Sequence, residues 1–292
     1  MNRPLAFICA LFLTSLSVSS ACFAGSPTDT LRFTLEPARG SSGKIQATFH
    51  RGTDPRNVSN WSTGFMPSDL IGLEVSPFHA PGSRPLRFAI VREAGRLDCA
   101  GTGGGSRASG TCRFTADAGF AGLLASRGIG RPTAEQAFGL MAVNVRRELI
   151  ETVAAARYPT PSIDDLMALS ALGANAAYIA AMSRAGYRPQ SIQKLIEFKA
   201  LGITPEWIAG FARVGYANVP GDGLVQMRAL GITPEFIMGF QRIGYTNLPV
   251  SKLVELKALG ITPEFVQSVV RAGEPLPPVN RLVGLKRYGS RR

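Results

Sequence analysis

Two hydrophobic patterns divide the chain near residue 115. Between residues 30 and 115, apolar and polar residues mostly alternate, in short runs bounded by Gly, Pro, Ser or Asp. Alternation with period two predicts strands with one buried face, and therefore an antiparallel sheet. The clearest runs span residues 31–35, 44–50, 86–91 and 111–114. The intervening residues 51–85 are rich in turn formers, and there we expect Trp61 and Phe65 to cover one edge or end of the sheet.

Helical spacing replaces this alternation after Phe114. Residues 118–127 and 133–157 predict helices, and the second segment begins with the helix-start sequence Pro132-Thr133-Ala134-Glu135. An apolar stripe follows at helical intervals. Its members are Phe138, Met141, Val145, Leu149 and Val153. The sequence Tyr158-Pro159-Thr160-Pro161 predicts the end of this segment and a domain boundary.

A constant sequence period of 29 governs the rest of the chain. Leu-Gly pairs recur at residues 172–173, 201–202, 230–231 and 259–260, and single glycines recur at Gly186, Gly215, Gly244 and Gly273. A fixed period of this length with two helical segments per unit is typical of stacked repeats. We therefore predict four helical hairpins between residues 161 and 275.

Each predicted hairpin has the same local signals. Its first helix has an apolar face that includes the Leu of the Leu-Gly pair, and the Gly supplies a left-handed C-terminal cap. Its second helix begins with Thr-Pro-Glu at residues 204–206, 233–235 and 262–264, whereas residues 175–177 are a weaker Asn-Ala-Ala version. The aromatic residues that follow this start are predicted to be core because they recur at helical spacing.

The N-terminus predicts export. Arg3, an apolar run at residues 5–13 and a small-residue site ending at Ala24 form a secretory signal peptide of residues 1–24. The run is shorter than the roughly 20 apolar residues of a membrane span, and no longer run follows. We expect a periplasmic or secreted protein without a transmembrane helix after cleavage. An alternative is lipid anchoring through Cys22, because Ser19-Ser20-Ala21-Cys22 loosely resembles a lipoprotein cleavage site.

The predicted fold is α+β. A small antiparallel β-rich domain spans residues 25–117, a helical connector residues 118–160, the four helical-hairpin repeats residues 161–275, and a basic C-terminal tail residues 276–292. The β-rich domain is expected to carry a disulfide, since strands 96–101 and 110–115 would place Cys99 opposite Cys112. The alternative is two buried free thiols. A zinc site would need further ligands beside the two cysteines, and the chain offers only His50 and His79.

Positive charge limits the class of partner. Without Arg3, 31 basic residues face 20 acidic ones, a formal net charge of +11. This charge favours a protein partner or an anionic envelope component, and export disfavours nucleic acid. Residues 281–292 contain five basic residues and no acid, which favours peripheral membrane contact or a solvated terminus.

Two columns of cations are the candidate binding residues. The first consists of Arg184, Arg213, Arg242 and Arg271, and the second of Lys199, Arg228 and Lys257. Stacked repeats would align each column into a ladder for phosphates or carboxylates. The alternative is that these cations stabilise helix C-termini and pair with acids such as Glu197 and Glu255.

The sequence predicts no catalytic, cofactor or metal residues. The glycines at residues 101–105 lack the Gly-Lys-Ser/Thr ending of a phosphate-binding loop and predict a flexible hairpin tip. His50 and His79 lie in strand-end and loop sequence, where surface histidines are common. A hydrolase of unrecognised type stays open as an alternative, and a cleft joining either histidine to a Ser and an acid would support it.

Residues 227–236 (MRALGITPEF) and 256–265 (LKALGITPEF) carry a resemblance to a known family. They resemble repeats in the C-terminal extensions of some bacterial metallopeptidase antirepressors of the beta-lactam-sensor class. Asn60-Trp61-Ser62 and residues 110–114 also resemble the segment preceding those repeats. The chain lacks the His-Glu-x-x-His motif and the membrane helices of that class. The resemblance implies an extracytoplasmic accessory to envelope sensing, or a regulator of a membrane metallopeptidase or sensor through similar repeats.

Overall fold

The computed structural model describes residues 30–40, 43–51, 59–185, 187–270 and 274–289. The predicted signal peptide, Cys22 and the last three residues lie outside this part of the chain. Within the described residues the fold is α+β, as predicted, with a six-stranded antiparallel sheet followed by twelve helices.

The sheet is a single layer of six antiparallel strands in the order β3-β2-β1-β6-β5-β4. The strands are β1 (Thr30–Pro37), β2 (Ile45–Arg51), β3 (Ser59–Phe65), β4 (Arg84–Arg92), β5 (Gly95–Gly104) and β6 (Arg107–Ala116). Strand β3 lies in the segment for which the sequence predicted no element. One face of the sheet carries the buried side chains, including Phe33, Phe49 and Leu97.

The hairpin of β5 and β6 confirms the predicted disulfide. Cys99 lies directly opposite Cys112 in the strand register, and the two sulfur atoms are bonded. The hairpin turn contains two residues, Gly105 and Ser106, with φ of 60° and 63°, as in a type I′ turn.

The predicted flexible hairpin tip is wrong, because Gly101 to Gly104 belong to strand β5. Gly101 lies opposite Gly110 in β6. A Cβ atom on Gly101 would collide with the carbonyl of Ser109, and one on Gly110 would lie 2.8 Å from the Phe33 ring. These glycines let neighbouring strands and an aromatic ring approach closely.

Thirteen α-helices occur within the described residues. The short α1 (Val75–His79) precedes β4, and α2 (Ala118–Ser126) follows the sheet. The remaining helices are α3 (Ala134–Ala142), α4 (Arg147–Ala155), α5 (Ile163–Ala171), α6 (Ala176–Arg184), α7 (Ile192–Ala200), α8 (Pro205–Ala212), α9 (Gly221–Ala229), α10 (Pro234–Arg242), α11 (Val250–Ala258), α12 (Pro263–Val269) and α13 (Val279–Tyr288).

A helix over residues 133–157 is wrong, because α3 and α4 are separate. Asn144 adopts a left-handed φ of 57° between them. Asn tolerates this conformation and can end a helix as Gly does. Asn144 stands one sequence period before Gly173, which has φ of 69° after α5. The turn that ends α3 therefore lies one sequence period before the turn that ends α5 and has the same left-handed conformation.

Helix starts recur with the same sequence period from α3 to α13. The N-cap residues of one set are Thr133, Ser162, Ser191, Pro220, Pro249 and Pro278, and those of the other are Arg146, Asn175, Thr204, Thr233 and Thr262. Alternate helices pack together, as α3 does with α5, α5 with α7, α4 with α6, and α11 with both α9 and α13. The sequence predicted that the Leu of each Leu-Gly pair lies on the apolar face of the first helix. This prediction is wrong for Leu172 and Leu201, which lie just after their helices and are exposed.

The turn between β4 and β5 joins the sheet to the helices. Arg92 donates from Nη1 to the carbonyls of Met141 (2.7 Å) and Ala142 (2.5 Å), at the C-terminus of α3. Its guanidinium also lies 5.5 Å from the centre of the Trp61 ring. Burial lowers the pKa of Arg92, and the charge of Asp69 opposes this shift.

Glu93 binds the next helix from the same turn. Its carboxylate accepts a 2.6 Å hydrogen bond from the backbone amide of Arg147, the first residue of α4. A cation at one helix C-terminus and an acid at the following N-terminus both complement the helix dipoles. This turn therefore fixes the α3–α4 pair on the sheet.

Acid should weaken the Thr-Pro-Glu helix starts. In Glu206 and Glu235, a hydrogen bond from the residue's own backbone amide lowers the pKa most, and one from the Thr hydroxyl lowers it further. In Glu264, the Thr262 hydroxyl lowers the pKa most and the backbone amide lowers it further. A carboxyl with a lowered folded-state pKa stabilises the fold above its unfolded-state pKa, and this contribution is lost as the pH falls through the folded-state value. We expect denaturant midpoints to decline below about pH 4.5, and less so in a Glu206→Gln/Glu235→Gln/Glu264→Gln variant. An identical acid dependence in the two proteins would contradict this.

Candidate functional site

The first predicted cation column is exposed. Arg184 and Arg242 are the last residues of α6 and α10, and Arg213 is the C-cap of α8. All three side chains are exposed to solvent. Within the described residues they form no hydrogen bond, ion pair or ring contact. Arg271 lies outside the described residues.

The second predicted column lies against aromatic rings. Lys199 Nζ is 4.6 Å from the centre of the Tyr178 ring, the Arg228 guanidinium is 5.6 Å from that of Trp207, and Lys257 Nζ is 4.9 Å from that of Phe236. Lys286 continues the series, 4.6 Å from the centre of the Phe265 ring. Each cation follows its ring at the same sequence interval and belongs to the following helix pair. These cation–π contacts hold neighbouring pairs together.

Further hydrogen bonds surround this second column. Arg228 Nε donates to the carbonyl of Leu201 (2.8 Å), the residue that caps α7. The Tyr178 hydroxyl donates to the carbonyl of Ile203 (2.7 Å), and burial raises the pKa of Tyr178 to about 12, so the phenol stays neutral. The suggested acidic partners of the columns bind other cations, because Glu197 contacts Lys194 and Glu255 contacts Lys252.

Polar contacts at a fixed separation also link successive helix pairs. Lys194 Nζ contacts Asp222 Oδ1 at 2.8 Å, and Lys252 Nζ contacts Asn280 Oδ1 at 2.7 Å, each across 28 residues. Tyrosine hydroxyls also donate across 32 residues, from Tyr216 to the carbonyl of Leu248 (2.6 Å) and from Tyr245 to that of Pro277 (2.5 Å). These contacts were not predicted from the sequence. Their signal was the recurrence of the Tyr residues at a step of 29 and of the Lys residues at a step of 58.

Within the described residues, each of the two histidines has one polar partner. His79 Nδ1 lies 2.7 Å from Ser106 Oγ, and His50 Nδ1 lies 2.7 Å from Asn60 Oδ1. In the described part of the chain, no carboxylate contacts either ring. The amides of Gly105 and Ser106 donate to the carbonyls of Ala80 and Phe78. They are therefore not available to stabilise an oxyanion beside Ser106.

The described residues contain no group of three or more His, Cys, Asp or Glu side chains that could hold a metal ion. Among these residues no single helix has both the length and the apolar composition of a membrane span. Helices α5 and α6 meet these criteria only as a pair, and they meet at an angle of 85°.

Comparisons with protein-family models, with curated proteins and with solved structures found no match to this chain.

Proposed function

We propose that the chain is an exported, non-enzymatic binding or scaffolding module built on a stacked array of 29-residue helical hairpins. The constant spacing of the helix starts and the packing of alternate helices support the array. Both features extend it beyond residues 161–275, to include the α3–α4 pair before and α13 after. In stacked repeats, equivalent positions form continuous surfaces that bind extended partners.

The arginine column is the proposed binding surface. Stacked helices lie about 8–10 Å apart, so Arg184, Arg213 and Arg242 present guanidinium groups at regular intervals. Guanidinium groups bind carboxylates and phosphates through paired hydrogen bonds. The partner would be an acidic protein surface or an anionic envelope component. One observation carries this proposal: rings cover the lysine-containing column, whereas the arginines have no partner within the described residues.

Affinity capture from an envelope extract tests the proposal. The full exported chain is compared with Arg184→Gln/Arg213→Gln/Arg242→Gln. A control variant, Arg32→Gln/Arg87→Gln/Arg113→Gln, removes the same charge from exposed positions on the sheet. We expect the wild type and the control to retain a common component that the array variant loses. Equal retention by all three proteins would contradict an arginine-lined surface.

A second candidate function is regulation of a membrane metallopeptidase or sensor that carries similar repeats. The observation in its favour is an exposed leucine on α13. Leu285 is 37% exposed, whereas the residues at the equivalent positions of the preceding repeats are completely buried. These equivalents are Leu169, Phe198, Met227 and Leu256. In the proposed arrangement, a repeat of the partner would cover Leu285.

A binding assay with the purified repeat region of a beta-lactam-sensor-class antirepressor tests this candidate. Leu285→Glu should abolish an interaction that the wild type shows. Met66→Glu, which changes an exposed apolar residue near the sheet, should preserve it. Failure of the wild type to bind, or equal binding by both variants, would reject the candidate.

A further inference from the structure

From α5 to α13, one position breaks an apolar column formed by the first residues of alternate helices. This column contains Ile163, Ile192, Gly221, Val250 and Val279. Ile163, Ile192 and Val279 are buried, and Val250 is partly buried. Gly221 contributes no side chain at the equivalent place, between the α7–α8 and α9–α10 pairs. The array therefore lacks one buried side chain at this junction.

One tyrosine beside Gly221 lacks the hydrogen bond that its equivalents in later repeats make. Tyr216 and Tyr245 donate to the carbonyls of Leu248 and Pro277, and the equivalent acceptor for Tyr187 would be Val219. The Tyr187 hydroxyl instead lies 3.0 Å from where a Cβ of Gly221 would stand. Its ring stacks on Phe198 with 5.4 Å between ring centres. Within the described residues, this hydroxyl has no hydrogen-bond partner.

A polar cleft of about 340 Å³ opens beside Gly221. Its lining includes Tyr187, Arg188, Lys194, Asn218 and Asp222. This volume lies at the lower end of small-molecule pockets, about 300–1,000 Å³. The cleft therefore accommodates a small solute rather than a chain segment.

The lining carries both signs of charge. Arg188 directs its guanidinium to the Tyr158 ring and the carbonyl of Ala156, which line a neighbouring cavity. Lys194 Nζ donates to Glu197 and Asp222, which leaves its third N–H free. Burial raises the pKa of Tyr187, so its hydroxyl remains a donor at neutral pH. Asp222 uses one oxygen to bind Lys194, and its side chain is 83% exposed, so the second oxygen can accept from a ligand.

We propose that this cleft binds a small zwitterion, a free amino acid or a dipeptide. The Tyr187 hydroxyl and the third N–H of Lys194 donate to the ligand carboxylate, and the Asp222 carboxylate accepts from the ligand ammonium. The site does not involve the exposed arginine column, so it goes beyond the proposed function and stands independently of it.

Calorimetric titration of the full exported chain with the common L-amino acids and with dialanine tests this proposal. Acetate and methylamine, tested separately, supply each charge alone. We expect at least one zwitterion to bind more than tenfold tighter than either single-charge probe. No binding by any zwitterion, or equally tight binding of acetate, would overturn the proposal.

Gly221→Val restores the residue type found elsewhere in the column and should fill the cleft. We expect affinity for the bound zwitterion to fall at least tenfold, with an unfolding midpoint equal to or above that of the wild type. Unchanged affinity in a folded Gly221→Val protein would overturn the site. Asp222→Asn should also weaken binding at least tenfold, whereas Asp164→Asn, two repeats earlier at the equivalent position, should bind normally. Equal binding by these two variants would overturn the role of Asp222.

Discussion

Replacement of Arg92 by Ala should lower the free energy of unfolding by about 2–4 kcal/mol. The half-buried guanidinium donates to the carbonyls of Met141 and Ala142, which end α3. It also stacks over Trp61 and Phe65, with ring-centre distances of 5.5 and 5.6 Å. Its removal leaves two carbonyls at a helix C-terminus without their cationic donor. Urea unfolding followed by circular dichroism would measure the loss.

Arg87→Ala is the matched control, because Arg87 is exposed on the same strand and its side chain forms no hydrogen bond or ion pair with a described residue. We expect its unfolding free energy to stay within about 0.5 kcal/mol of the wild type. Equal losses in the two variants would show that Arg92 does not fix the helices on the sheet.

Removal of the disulfide should cost about 2–3 kcal/mol, because it closes a short loop in the unfolded chain. Cys99 and Cys112 are 13 residues apart in sequence and are buried opposite each other in β5 and β6. Urea unfolding of the Cys99→Ala/Cys112→Ala variant, with and without reductant, measures the effect. Reductant should destabilise the wild type and leave the variant unchanged. A wild type that is insensitive to reductant once unfolded and refolded would contradict a stabilising bridge.

The strands that alternate clearly were predicted from the sequence, whereas β3 was not. Only Trp61 and Phe65 give this strand large apolar side chains. Its formation depends on pairing with β2, which includes hydrogen bonds between Thr48 and Ser62 and between His50 and Asn60. Such pairing joins separate segments of the chain and has no signature within the strand itself.

The helix boundaries show a similar limit. The apolar stripe of residues 133–157 continues at helical spacing through the turn, so periodicity alone joined α3 to α4. The break occurs at Asn144, which takes the left-handed conformation that Gly adopts in the other first-helix turns. Alignment of this segment with the later units at a step of 29 would have identified the turn.

The two cation columns were both visible in the sequence, but their environments were not. The repeat period aligns residues of the same type, whereas each ring contact joins a cation to the helix pair before it. Which column is covered by rings depends on how successive pairs stack. The cleft at Gly221 was not predicted either. Its sequence signal, a Gly in a column of Ile and Val, is apparent only when the helix starts are aligned.

A comparison of two triple variants most directly tests the proposed role of the array. Arg184→Gln/Arg213→Gln/Arg242→Gln and Lys199→Gln/Arg228→Gln/Lys257→Gln each remove three positive charges. Both are titrated with poly-L-glutamate and with phosphatidylglycerol vesicles, and both are unfolded in urea. We expect the first variant to keep the wild-type midpoint and to lose at least tenfold in affinity for one probe. The second should lose about 1–3 kcal/mol of stability through its three ring contacts and bind more tightly than the first. Equal affinities in the two variants, or a greater loss of binding in the second, would contradict the assignment of the exposed arginines as the binding surface.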